Sequence, residues 1–186
     1  ISVTATTPGG TSGGVNYTYT QGGGPYTATL NPSDDTYVKS TEAGTNKNGG
    51  NLITQKNASV EYQSWLKFSL STIQGTTVTS AKLRVYYWTT AATTVKVYNC
   101  TTDSWTETAL TWNNRPAAGT SQATLTTGST AGYYEATITS WVNSQMSGDK
   151  VVSVIILDDQ SLNANIQAYS KDNTTTYKPQ LVVISQ

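Results

Sequence analysis

Short runs in which apolar and polar residues alternate one by one, each too brief for an ordinary helix, constrain this chain more than any other feature. In the run 65–70, Leu66, Phe68 and Leu70 oppose Trp65 and Lys67; in the run 82–88, Leu83, Val85 and Tyr87 oppose Arg84, Tyr86 and Trp88. Successive side chains of a strand point to opposite faces, so the first set in each run is core and the second an outward face. Comparable runs occupy residues 36–40, 51–56, 93–100, 122–126, 133–138, 150–157, 165–170 and 179–184. Turn-rich polar stretches separate them, which predicts an all-β fold, an antiparallel β-sandwich of jelly-roll type. One short helix interrupts the series. Trp141, Val142, Gln145 and Met146 fall at helical spacing between Thr139, an expected N-cap, and Gly148.

The first thirty residues read differently. Ile1, Val3 and Ala5 alternate with Ser2, Thr4 and Thr6, giving a strand with one apolar edge, and Pro8 through Gly14 form a tether that cannot continue a ladder. The predicted organisation is an N-terminal strand with a Gly-rich tether over residues 1–30, then a jelly-roll domain over 31–186. A lone strand has little stability unless it pairs, and a tether lets it reach a neighbour's sheet edge. If each chain donates residues 1–7 to the next, with Ile1, Val3 and Ala5 as the subunit interface, the contact is head-to-tail and need not close. Copies of the chain then assemble into a secreted structural filament. A carbohydrate-binding module of a polysaccharide-degrading or surface protein is the alternative expectation.

Composition removes several function classes. Only 12% of the residues are charged, formal net charge is zero and no basic run occurs, so the footprint of a nucleic-acid or anionic-membrane partner is missing. No apolar stretch reaches membrane-spanning length, so membrane insertion is not expected. The abundance of Thr, Ser, Asn, Gly and Tyr resembles secreted β-proteins, and the chain reads as an extracellular, mature or trimmed product. Cys100 is alone, so it cannot form an internal disulfide and is expected buried and inert. Histidine is absent, which excludes Ser-His-Asp and Cys-His nucleophiles and HExxH zinc sites. Glu61 with Glu135, or Asp103 with Glu107, are the carboxylate pairs a glycosidase would need, but nothing distinguishes them from surface charge, and catalysis is not expected.

Residues 105–116, WTETALTWNNRP, crowd two tryptophans, a carboxylate, an arginine and a proline into a stretch too irregular for a helix. Such a loop is expected to close one end of the sandwich, with Trp105, Leu110 and Trp112 as plugs and polar neighbours satisfying the turning backbone. If the strands over 62–70, 81–88 and 93–100 share a sheet, Trp65, Lys67, Arg84, Tyr86 and Trp88 share its outward face with Lys96 and Tyr98. There, rings stack on sugar C–H faces while cations meet hydroxyls or carboxylates, so these five are the candidate glycan-binding residues. Residues 15–30, with Tyr17, Tyr19 and Tyr26, could instead cover that face. Asp34, Asp35 and Asn48 lie near turns and are candidate ligands for a structural calcium ion. Asn16, Asn57, Asn99 and Asn173 each stand in an Asn-x-Ser/Thr sequon, the acceptor pattern for N-glycosylation.

Several pieces, in order, resemble the DNRLRE domain family, related to carbohydrate-binding module family 96. They are Asp35-Thr36-Tyr37-Val38, the glycine turn at 46–50, Ser64-Trp65-Leu66-Lys67-Phe68, Ala81-Lys82-Leu83-Arg84, the stretch 105–116, Ser170-Lys171-Asp172 and residues 179–183. The resemblance runs from Asp34 to about the C-terminus. It implies a secreted, non-catalytic jelly-roll domain of the kind found in surface proteins and polysaccharide-degrading assemblies. Members usually carry Ser-Arg-Glu where this chain has Ser170-Lys171-Asp172.

Overall fold

The computed structural model describes residues 24–89 and 91–186; Ile1, Val3, Ala5 and Asn16, and with them the donor strand, lie outside the described residues. Among the described residues the alternating runs form eleven strands: β1 (Tyr26–Leu30), β2 (Asp34–Lys39), β3 (Asn51–Lys56), β4 (Glu61–Ser69), β5 (Val78–Thr89), β6 (Thr93–Cys100), β7 (Ala118–Thr127), β8 (Gly132–Thr137), β9 (Val151–Leu157), β10 (Ile166–Tyr169) and β11 (Gln180–Ser185). All pairings are antiparallel.

The strands divide into two layers. The first places β11 and then β10 along one side of β5 and β8 along its other side, with β1 outside β11 and β3 outside β10. The second sets β4 between β2 and β9, followed by β6 and β7. Strand β3 belongs to both, because it also pairs with β4. The inward residues of each alternating run meet between the layers: Leu66 and Phe68 from β4, Leu83 and Val85 from β5, Val154 and Ile156 from β9, all fully buried. Each such side chain contributes about 2 kcal/mol by leaving water. Tyr26 to Leu30 pair residue for residue with Ser185 to Leu181, so this piece extends the sheet at its edge and does not lie across its face.

Helix α1 (Thr139–Met146) buries Val142 and Met146 against the core. Thr139 is its first residue and makes no N-cap; its hydroxyl accepts the Ala81 N–H of β5 at 3.0 Å. Asn143 adds a second tie to the same strand, accepting the Val78 N–H at 2.7 Å. Two side-chain acceptors thus tie the helix to the strand that carries the aromatic outer face.

Candidate functional site

Strands β4 and β5 lie in different layers, so the single outward face expected from the sequence is two faces. On the β4 layer, Trp65 is fully buried. Residues 105–116 lie over it and form a second small core, in which Trp105 meets Trp65 edge-on at 5.8 Å among Val38, Leu110 and Ile155. The loop therefore roofs one outer face instead of closing an end of the sandwich. Its backbone is satisfied by amides, as expected: Asn46 donates to the Glu107 and Leu110 carbonyls, and Asn114 binds Thr111 N–H and the Ala109 carbonyl. Lys67 donates to the Trp105 carbonyl, sits 4.5 Å from that ring and lies 3.4 Å from Asp34. Trp65 and Lys67 are consumed by this roof and leave the candidate glycan surface. Lys96 and Tyr98 stay on the same layer, bonded to Thr124 and Asp159.

Arg84, Tyr86 and Trp88 do project from one outer face, that of the β5 layer, and the fold adds three rings the sequence did not assign to it. Tyr133 faces Tyr86 across the β5–β8 pair, edge-on at 5.3 Å. Tyr169 from β10 lies nearly parallel to Tyr86 at 5.8 Å and to Trp88 at 6.1 Å. Tyr177, from the β10–β11 connection, stacks on Tyr86 at 4.2 Å. Trp88 and Tyr177 are 37% and 44% exposed, so this aromatic cluster is open to solvent at both. Beside it, Arg84 and Lys82 share one carboxylate, Glu135, at 2.8 and 2.9 Å. The Lys82 hydrogen bond, helped by the charges of Lys82 and Arg84, holds Glu135 below its ordinary pKa against the opposing effect of burial. Two cations on one anion leave a positive charge next to the rings. A shallow groove lined by Lys82, Arg84, Glu135, Val182 and Ile184 continues the face.

The predicted cation ligands are not brought together. Neighbours on a strand diverge, so Asp34 turns to Lys67 and the roof while Asp35 turns inward, and Asn48 lines a separate polar hollow with Tyr37 and Asn51. The carboxylates that do converge are Asp35, Glu107 and Asp172, within 4.8 Å of one another. Lys171 lies among them: its N–H donates to Asp35 at 2.7 Å and its ammonium to Glu107 and Asp172, both at 2.8 Å. Burial opposes that charge, but the bonds to Asp172 and Glu107 dominate and raise the Lys171 pKa. Asp35 itself is fully buried, one oxygen lacks a hydrogen-bond partner, and burial pushes its pKa up to about 7 against the bond from Lys171. Glu107 also accepts the Asp35 N–H at 3.0 Å. Together they latch the edge strand β2 to the roof and to the turn after β10, a structural task that engages Lys171 through its N–H and two ammonium bonds.

The profile of carbohydrate-binding module family 96 matches residues 26–185, nearly the whole described chain. The chain belongs to carbohydrate-binding module family 96. It is also 26% identical, over 167 residues and 84% of its length, to a gellan lyase of a Bacillus species, of which it spans 7%. The family is one of binding modules, which favours the carbohydrate-binding expectation over the filament. The filament rests on residues 1–7, outside the described residues, and nothing found here supports self-association. In this family-96 module three of the four glycosidase-type carboxylates, Glu61, Glu135 and Glu107, are held in ion pairs. Glu61 and Glu135 stand on different layers, and Glu107 belongs to the latch. Burial raises the pKa of its partner Asp103.

Three of the chain's four sequons lie among the described residues, and each of their asparagines is engaged. Asn57 donates to Asn163 at 2.9 Å, Asn99 accepts the Thr120 N–H at 2.6 Å, and Asn173 donates to the Gly50 carbonyl at 2.8 Å. Cys100 is buried as expected, its thiol donating to the Thr102 carbonyl and its pKa raised chiefly by burial. No described helix is long and apolar enough to cross a membrane.

Proposed function

We propose that this chain is a non-catalytic, extracellular or cell-surface module that attaches to polysaccharide through the outer face of the β5 layer. The observation that carries the proposal is the row of near-parallel rings Trp88, Tyr169 and Tyr86 on an open face, in a member of a carbohydrate-binding family. Flat aromatic surfaces hold sugars by stacking on their C–H faces, and a few polar groups at the margin set orientation. Arg84, Lys82, Glu135 and Gln180 supply that margin, with Arg84 donating to Gln180 at 3.0 Å. The uncompensated charge beside the rings and the similarity to a gellan lyase make gellan, an anionic polysaccharide, the first glycan to test.

The experiment is native affinity electrophoresis of the full chain through gels containing gellan, a second anionic polysaccharide or a neutral glucan. Retardation in one or more of the polysaccharide gels is the expected result, and it should weaken for Trp88→Ala. Equal mobility in every gel would remove the carbohydrate-binding reading.

A further inference from the structure

The aromatic cluster is not uniform, and its internal distances say how. Tyr86 and Tyr177 are separated by 4.2 Å, Tyr86 and Tyr169 by 5.8 Å, and Tyr169 and Tyr177 by 6.5 Å, with all three ring planes within 17° of parallel. These separations close a triangle that is nearly right-angled at Tyr86. Two rings in one plane cannot approach to 4.2 Å without overlapping, so Tyr177 must be displaced from Tyr86 along the ring normal, face on face. Tyr169 therefore stands to the side of that stack, nearly parallel to both rings and not on the far face of Tyr86. Trp88, Tyr169 and Tyr86 follow one another as a row of near-parallel rings, and Tyr177 covers one face of Tyr86. Exposure agrees: Tyr177 is 44% exposed while Tyr86 is half-buried.

The cover is held by its own connection. The Tyr133 hydroxyl donates to the Lys178 carbonyl at 3.1 Å, and the Lys178 side chain donates to the Asn173 carbonyl. Asn173 in turn spans to the Gly50 carbonyl at 2.8 Å and accepts the Thr175 N–H at 3.0 Å. Tyr177 comes from this braced turn, in the interval where the neighbour of β5 changes from β11, which ends its pairing at Arg84, to β10, which begins at Tyr87. A side chain stacked on a ring occupies the surface a pyranose would occupy, because both use the same apolar face.

We propose that Tyr177 is a specificity-determining lid ring: it fills the sugar subsite on Tyr86 and limits the open row of rings to Trp88 and Tyr169. The inference rests on the carbohydrate-binding reading and assigns a length limit to that same site. A bound chain abuts Tyr177 at one end, so affinity stops rising once the chain covers the two free rings.

The test uses the full chain, Tyr177→Ala and Tyr177→Phe, with size-fractionated gellan oligosaccharides measured by calorimetry. For the wild type and Tyr177→Phe, affinity should level off at the same short length. Tyr177→Ala should level off at a longer one and bind the longest fragments roughly 2- to 12-fold more tightly, the range expected for one additional ring stack. Weaker binding by Tyr177→Ala at every length would make Tyr177 a contact in its own right and overturn the proposal. Tetranitromethane nitration of Tyr86, mapped by peptide mass, gives a readout that needs no glycan. Tyr86 should be protected in the wild type and react faster in Tyr177→Ala. Equal rates sink the lid even if binding is seen, whereas protection without gellan binding would disfavour gellan as the ligand and leave the lid standing.

Discussion

Asp35→Asn should stabilise this module at neutral and alkaline pH and leave it nearly unchanged in acid. Asp35 is fully buried, its inner oxygen lacks a hydrogen-bond partner, and it shares the latch with Glu107 and Asp172 against the ammonium of Lys171. Burial raises its pKa to about 7 in the folded protein, whereas an aspartate in an unfolded chain titrates near 3.9. Between those values the folded state keeps a proton that the unfolded state releases. The stabilising contribution is therefore fully present below about pH 4, declines as pH rises, and is gone above about pH 7. At about 1.4 kcal/mol per pH unit the loss totals about 4 kcal/mol, an upper figure because local relaxation softens it. Asparagine stays neutral, keeps an oxygen for the Lys171 N–H, and offers an amide donor to the neighbouring carboxylates. Urea unfolding followed by tryptophan fluorescence, at about pH 4 and about pH 8, gives the difference between variant and wild type at each pH. The gap should be small in acid and should widen to a few kcal/mol in base. Parallel pH dependences, or a variant less stable at about pH 8, would show that Asp35 is not a buried carboxylate carrying this cost.

Trp65→Ala should cost about 3–5 kcal/mol of stability by emptying the space beneath Trp105, yet leave polysaccharide retardation of the folded fraction unchanged. Lost retardation at full folding would return Trp65 to the binding surface. Cys100 should resist iodoacetamide at about pH 8 until denaturant is added, because the thiol is buried and its pKa raised. Rapid native labelling would contradict that environment. Chelation with EDTA should leave the melting temperature where it is, since Lys171 already supplies the cation between Glu107 and Asp172. A fall would place a metal ion at the free oxygen of Asp35.

Period-two alternation made most strands legible to within one to three residues, although β7 begins four residues before the expected start at 122. Residues 51–56 and 93–100 are β3 and β6 with the expected limits, and Leu66, Phe68, Leu83 and Val85 are core as read. Alternation sorts residues to the two sides of one strand but is silent about which strands are neighbours. Trp65 and Trp88 both point outward, yet one lies under the 105–116 roof and the other is open, because β4 and β5 sit in different layers. The same limit hid Tyr133 and Tyr169, which join the site only through the β5–β8 and β5–β10 pairings. Tyr177 lies in a turn with no period at all. Its only signal was a tyrosine among threonines and lysine, which carries no direction. For the cation ligands, strand alternation separated Asp34 from Asp35, and the partners of Asp35 lie 72 and 137 residues away, at Glu107 and Asp172.

In the reading proposed above, Trp88 and Tyr169 together hold the glycan. Calorimetric titration of gellan oligosaccharides into the wild type, Trp88→Ala and Tyr169→Ala, each first checked for native folding, decides whether they do. Each substitution should weaken binding by up to about tenfold, the worth of one ring contact. Wild-type affinity in both variants would contradict the assignment.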